Sequence, residues 1–208
     1  MVSGYGLTEG GTATGTSHDD SPDIIATTVG RARPGFEIRI VDAQGDDLPA
    51  GEVGQILLRG PSVMTGYLDD PAATKAVLSD DGWLETGDLG WIGEDGCMRI
   101  SGRSKDMFIV GGFNAYPAEI ESIILRHPAV QQVAVVGVAD ERLGQVGMAF
   151  VVAREPLTED ELVAWCRENM ANYKVPRYVT VIDELPLNAT GKVQKTVLAT
   201  WGSERVRR

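Results

Sequence analysis

The sequence predicts a mixed α+β fold in two parts: a β-rich first half, and a compact α+β second half with helices packed on one small sheet. Three patterns predict it. Apolar and polar residues alternate between Gly35 and Ile100, a helical apolar spacing sets in after Pro117, and buried-type β runs return between Val133 and Ile182. With 208 residues, 43% of them hydrophobic and 24% charged, the chain can bury two small cores and has an ordinary globular composition.

The stretch Ser3-Gly4-Tyr5-Gly6-Leu7-Thr8-Glu9-Gly10-Gly11 combines small residues with one ring, one hydroxyl and one carboxylate. This composition suits a binding loop, because glycines let backbone approach a ligand; it equally suits a disordered glycine-rich terminus. Thr12 to Asp23, rich in Ser, Thr, Gly and Asp, reads as an exposed loop. Phe36, Ile38 and Ile40 then alternate with Glu37 and Arg39, turn residues fill Asp42 to Pro49, and Val53 to Leu58 is apolar again, which together predict a β-hairpin. Pro71 precedes a short helix over Thr74 to Leu78. Trp83 to Ile100 reads as strand, turn and strand, with Glu94-Asp95-Gly96 at the turn.

From Ser101 to Glu121 the chain changes character three times. A strand end leads into the charged run Arg103-Ser104-Lys105-Asp106, then into the apolar Met107 to Val110 and the pair Gly111-Gly112. Pro117 fits the first turn of a helix, Ile120, Ile123, Ile124 and His127 share one face, and Pro128 ends it. Val133 to Val138, Val146 to Val152 and Tyr178 to Ile182 read as strands. Thr158 and Glu161 form a capping box ahead of a helix carrying Leu162, Trp165, Cys166 and Met170. The tail, Leu185 to Lys195, is a polar loop that runs into helix-forming residues.

Composition narrows the function classes. A net charge of −11, from 19 basic and 30 acidic residues, opposes nonspecific binding to nucleic acid or to anionic membranes. No apolar run reaches bilayer-spanning length, and the amino end has neither the basic start nor the apolar core of a signal peptide, so a cytoplasmic protein without a transmembrane segment is expected. Cys97 and Cys166 lack metal-ligand spacing and read as reduced packing residues. The dinucleotide fingerprint fails at Glu9, and a phosphate-binding P-loop fails at Pro186 and Val193.

Four ordered segments, Tyr5-Gly6-Leu7-Thr8-Glu9, Glu85-Thr86-Gly87-Asp88, Gly102-Arg103-Ser104-Lys105-Asp106 and Asn188-Ala189-Thr190-Gly191-Lys192, together resemble the signatures of the adenylate-forming (AMP-binding) superfamily. The run Gly111-Gly112-Phe113-Asn114-Ala115-Tyr116-Pro117-Ala118-Glu119-Ile120-Glu121 is most similar to its acyl-CoA ligase branch. The resemblance implies that residues 1–104 are the β-rich C-terminal part of a large N-terminal AMP-binding domain. Residues 105–208 are implied to be the mobile C-terminal domain, with its hinge at Lys105.

It further implies ATP-dependent activation of a carboxylic acid, fatty or related, to an acyl-adenylate, followed by transfer to coenzyme A. This would occur within a longer enzyme whose N-terminal portion, with its pyrophosphate loop and acyl pocket, is missing here, so that the chain alone is expected to be inactive. A carrier-protein thiol as acceptor, or a non-catalytic nucleotide- or CoA-binding role, are the alternatives. By the same resemblance Tyr5, beside Gly6, would stack on adenine; Thr8 would bond phosphate oxygen and Glu9 would hold Mg²⁺. Asp88 and Arg103 would contact the ribose. Lys192 would bridge the substrate carboxylate and the α-phosphate, on a loop given freedom by Thr190-Gly191. Gly111 and Gly112 would line the path of the thiol arm.

Overall fold

A computed structural model describes residues 2–206, and its internal contacts divide the chain into two units, Met1–Ser104 and Lys105–Arg208. The fold is mixed α and β, as the alternation and helical spacing predict. Among the described residues no helix is long and apolar enough to cross a membrane.

In the first unit the glycine-rich start is ordered by short antiparallel pairs. Strand β1 (Gly6–Leu7) pairs with β2 (Gly11–Thr12), and β3 (Thr14–Gly15) pairs across helix α1 (Pro22–Thr27) with β4 (Arg31–Ala32). The expectation of an exposed loop over Thr12 to Asp23 is therefore corrected at both ends. Ala13 and Thr14 are buried. The Thr14 hydroxyl accepts from the Tyr5 backbone N–H at 3.0 Å and donates to the Val29 carbonyl, so its burial leaves no polar group unpaired. At the other end Ser21 caps α1 by accepting from the Ile24 N–H, and Pro22 occupies the first turn.

The main sheet of this unit is a four-stranded antiparallel meander in chain order: β5 (Glu37–Val41), β6 (Gly54–Arg59), β7 (Leu84–Ile92) and β8 (Met98–Arg103). Helix α2 (Pro71–Val77), capped by Asp70, sits in the connection from β6 to β7. Along β6 buried Gly54, Ile56 and Leu58 alternate with partly exposed neighbours, the period of a strand with one covered face. Leu58 packs with Ala13 and Leu84, and Ile56 packs with Ile40 and Met98.

The second unit opens with a 3₁₀ turn at Ser104–Asp106 and then β9 (Phe108–Val110). There follow β10 (Phe113–Ala115), α3 (Pro117–Ile124), β11 (Val130–Asp140), β12 (Gly144–Ala153), α4 (Glu159–Asn169), β13 (Tyr178–Val181) and α5 (Lys195–Val206). The strands form one sheet in the order β10-β9-β12-β11, and β13 joins β12 in parallel. Helices α3 and α5 pack on β11, and α4 packs on β13. Phe108, Ile120, Ile124, Phe150, Leu162 and Leu198 are buried together in a single core. The capping box is present as predicted, with Thr158 and Glu161 bonded reciprocally.

Helix α3 ends at Ile124, one turn short of the His127 that the spacing suggested. Pro128 disfavours helical angles in the residue before it, and the last turn tightens so that Arg126 and His127 donate to Ile123 and Ile124 instead.

Two outcomes follow from this packing. Phe108→Ala should lower the stability of the second unit by about 3–5 kcal/mol in urea unfolding, through transfer and cavity costs; a change below about 1 kcal/mol would contradict the core assignment. Both cysteines are buried and free, and burial pushes the Cys166 thiol up to about 11. A disulfide reagent at pH near 8 should therefore leave both thiols of the native chain unlabelled and label both after denaturation; fast native labelling would be inconsistent with the packing.

Candidate functional site

The site in the first unit begins as an irregularity of the sheet. Strands β6 and β7 pair Gln55 with Leu89 and Leu57 with Glu85, so Thr86, Gly87 and Asp88 stand opposite the single residue Ile56. Such a bulge re-aims side chains out of the regular alternation. Gly87 adopts φ of +72°, a conformation open to glycine. The Thr86 hydroxyl fastens the bulge by donating to the Ile56 carbonyl at 2.9 Å and accepting from the Asp88 N–H at 3.1 Å.

The bulge delivers Asp88, whose cross-strand partner on β8 is Arg103. Asp88 is only 8% exposed. Its Oδ1 lies 3.3 Å from Arg103 Nε, and its Oδ2 accepts the Tyr5 hydroxyl at 2.6 Å. The Tyr5 ring is half-buried against the Ile40, Ile56 and Met98 cluster. Burial first, and the hydrogen bond to the Asp88 carboxylate second, push the Tyr5 phenol well above its ordinary value, so it remains a hydrogen-bond donor at neutral pH.

Glu9 lies in the turn between β1 and β2, which the loop after β6 holds in place. The Met64 N–H donates to the Glu9 carbonyl at 2.7 Å, and the Ser62 hydroxyl donates to the Gly10 carbonyl at 2.9 Å. The Tyr67 hydroxyl donates to Glu9 Oε1 at 3.1 Å, and that hydrogen bond raises the Tyr67 phenol. Thr8 is exposed and makes no side-chain hydrogen bond among the described residues, and Gly6 serves the β1–β2 pairing. No group of three metal-ligating side chains occurs among the described residues.

In the second unit Lys192 is exposed at the end of a braced loop. Asn188 Oδ1 accepts from the Thr190 N–H at 3.0 Å, the Thr190 hydroxyl at 2.8 Å and the Lys192 N–H at 2.8 Å. The loop freedom expected from Thr190-Gly191 is thereby corrected: one amide side chain satisfies three donors and fixes the turn. Three residues on, Lys195 Nζ lies 2.7 Å from Glu121 Oε1, and the same oxygen accepts the Val135 N–H at 2.8 Å. Helix α5 is thus tied to α3 and β11 immediately after the Lys192 loop.

Gly111 and Gly112 form the two-residue turn of the β9–β10 hairpin, with φ of +57° and +91°. Positive φ at both central positions is what a tight hairpin demands, so this glycine pair has a local reason besides any ligand. Gly111 also lines a cavity of about 490 Å³, together with Phe113, Tyr173, Arg142, Arg167 and Arg177; Gly112 is not among its lining residues. The Phe113 and Tyr173 rings stack, with centroids 5.0 Å apart. Arg177 pairs with Asp140 at 2.8 Å, whereas Arg142 and Arg167 make no ion pair among the described residues.

Residues 1–68 match the family model for AMP-binding enzymes, and residues 119–192 match that for the AMP-binding enzyme C-terminal domain. The chain belongs to the AMP-binding enzyme family. A methyl-dioxo-octahydroindenyl-propanoyl:CoA ligase of Rhodococcus jostii is 48% identical over 200 residues, which are 95% of this chain and 37% of that protein. A long-chain-fatty-acid–CoA ligase of Escherichia coli is 41% identical over 199 residues, 95% of this chain and 35% of the relative. Among solved structures, ATP-bound MatB from Rhodopseudomonas palustris matches at a TM-score of 0.88 and 39% identity, over 96% of this chain and 40% of that one. The o-succinylbenzoate CoA synthetase of Bacillus subtilis, in complex with its acyl-adenylate intermediate, matches at 0.89 and 36%, over 95% and 40%. This AMP-binding enzyme chain therefore spans well under half the length of these relatives.

Of the residues singled out in the sequence of this AMP-binding enzyme, Tyr5 and Arg103 converge on the Asp88 carboxylate. Sequence reasoning missed Tyr67 and the three cavity arginines, and gave no role of their own to Asn188, Glu121 and Lys195, which stand within the segments it singled out. Tyr67, Glu121 and Lys195 take partners distant in sequence, whereas Asn188 bonds Thr190 and Lys192 within its own turn.

The tie of helix α5 to α3 and β11 can be tested by removing its acceptor. Glu121→Ala should leave the Lys195 ammonium and the Val135 N–H without their partner and lower stability by about 1–3 kcal/mol in chemical denaturation. Unchanged stability would show that water replaces the carboxylate without cost.

Proposed function

We propose that this chain belongs to an ATP-dependent acid–thiol ligase, which converts a carboxylic acid, fatty or related, to its acyl-adenylate and then to a coenzyme A thioester. The observation that carries the reading is the convergence of Tyr5 and Arg103 on the nearly buried Asp88 carboxylate, the three residues coming from three separate motifs. Such a group suits the vicinal hydroxyls of a ribose, and the Tyr5 ring beside it offers a flat face for adenine. The names of the relatives, CoA ligases and synthetases, support the same class.

In the first half-reaction a carboxylate oxygen attacks the α-phosphorus of ATP, and the bond to pyrophosphate breaks. Lys192 contributes a cation between carboxylate and α-phosphate, where negative charge accumulates, and the Asn188 brace keeps its backbone in place. Thr8 bonds a phosphate oxygen. Glu9, a single carboxylate positioned by Tyr67, fits Mg²⁺, which takes one or two protein carboxylates and completes its shell with water and phosphate oxygens. Bound there, Mg²⁺ neutralises charge on the phosphates. Arg103 adds a contact at the ribose edge.

In the second half-reaction the thiol sulfur attacks the acyl carbon and AMP departs. Residues 1–104 act as the C-terminal part of the nucleotide-binding domain, and residues 105–208 as a mobile domain hinged at Lys105, which presents Lys192 for the first step and the Gly111-Gly112 hairpin for the second. Coenzyme A brings a nucleotide with several phosphates. The cavity with three arginines and the stacked Phe113–Tyr173 pair suits that end of the molecule, through charge-assisted hydrogen bonds and a ring platform.

In the complete enzyme Lys192→Ala should reduce acid-dependent pyrophosphate release by about a hundredfold or more, while thioester formation from supplied acyl-adenylate persists. Equal loss in both steps would contradict the role. Replacing Arg142 and Arg167 together by alanine should raise the KM for coenzyme A by about tenfold or more and leave the KM for ATP unchanged; no change for coenzyme A would exclude the cavity as its site.

A further inference from the structure

The Tyr5 ring and the Tyr5 hydroxyl are spent on different things, and the hydroxyl has a geometry of its own. An ionised carboxylate offers about four acceptor directions, two on each oxygen. On Asp88, Oδ2 is engaged by the Tyr5 hydroxyl at 2.6 Å and Oδ1 by Arg103 at 3.3 Å. One direction on each oxygen is left over. With Asp88 only 8% exposed and its backbone held by the Thr86 bulge, the carboxylate cannot swing to present a different edge without breaking the Tyr5 bond.

Two parallel acceptors, one on each oxygen of a fixed group, match two neighbouring hydroxyl donors better than one. We infer that the Tyr5 hydroxyl is a positioning residue that locks Asp88 so that it recognises both hydroxyls of a ribose, and that this lock sets discrimination between ribo- and deoxyribonucleotides. The inference rests on the nucleotide-binding reading above and adds a second role for Tyr5 that stacking on adenine does not require. The bond survives ligand binding, because the phenol and the ribose hydroxyls use different acceptor directions. The raised phenol supports this persistence, since Tyr5 stays protonated and donating at neutral pH.

Without the phenol, Asp88 can turn about its side-chain bonds and bond one hydroxyl as well as two. A site committed to both hydroxyls disfavours an analogue that lacks one, because the remaining acceptor direction on one oxygen then faces neither a donor nor water.

The test is calorimetric titration of the 208-residue chain and its Tyr5→Phe variant with AMP, 2′-deoxy-AMP and 3′-deoxy-AMP, with circular dichroism and thermal melting to verify the fold. Wild type should bind AMP about tenfold or more tightly than either deoxy analogue. Tyr5→Phe should keep the ring, retain some AMP binding and reduce that ratio to about twofold or less. A purely structural role for the hydroxyl would weaken all three ligands equally and preserve the ratio, and that result overturns the inference while leaving the nucleotide site standing. If wild type binds no AMP, the nucleotide-site reading fails and the inference fails with it.

Nuclear magnetic resonance of the wild-type chain gives a second route that needs no variant. The Tyr5 hydroxyl proton should be slowly exchanging both without and with AMP. Its loss on AMP binding would mean that the ligand displaces the phenol, and would overturn the inference even if Tyr5→Phe does not fold.

Discussion

The first unit is arranged around the problem of holding one carboxylate nearly buried and still available. Asp88 is costly to place where it is unless its charge is matched and its oxygens are bonded. The sheet supplies both conditions: Arg103 stands directly across from it on β8, and Tyr5 reaches it from the amino-terminal stretch. The bulge at Thr86 to Asp88 makes this possible, since a regular β7 would aim the side chain elsewhere. The ordering of the glycine-rich start is a consequence of the same arrangement, because Tyr5 is held by Thr14 and by the Ala13 and Thr14 amides while its hydroxyl is fixed to Asp88.

In the second unit an exposed lysine stands on a hydrogen-bonded turn. The Lys192 ammonium has no hydrogen-bond or ion-pair partner among the described residues, while its backbone is held where Asn188 closes the turn with three hydrogen bonds. Lys195 and Glu121 then bind the start of α5 to α3 and to β11, so the loop sits on the sheet and its single core.

Much of this was legible in the sequence. The strands β5 to β8, β11 and β12 and the α4 capping box follow from local alternation, helical spacing and punctuation, each decided within a few residues, whereas α3 stops at Ile124, short of Pro128. The four motifs were legible as an ordered set. What escaped is nonlocal or is disguised by composition. Thr14 reads as loop and is buried, because its hydroxyl finds partners at Tyr5 and Val29. Gly111-Gly112 invites a ligand reading, yet the β9–β10 hairpin alone already demands positive φ there. Tyr67 carries no pattern that could mark it, and Glu121 lies in a quoted run that says nothing of its bonds; each acquires its role only when a partner from another part of the chain arrives.

The central claim is that Asp88, held by Tyr5 and Arg103, is the anchor of a nucleotide site. Titration of the chain and its Asp88→Ala variant with AMP, followed by nuclear magnetic resonance, tests it most directly. The account predicts saturable shifts at Tyr5, Gly87 and Arg103 in the wild type, and an affinity at least about tenfold weaker in the variant. Equal affinity in the two proteins, or shifts confined to residues elsewhere, would contradict it.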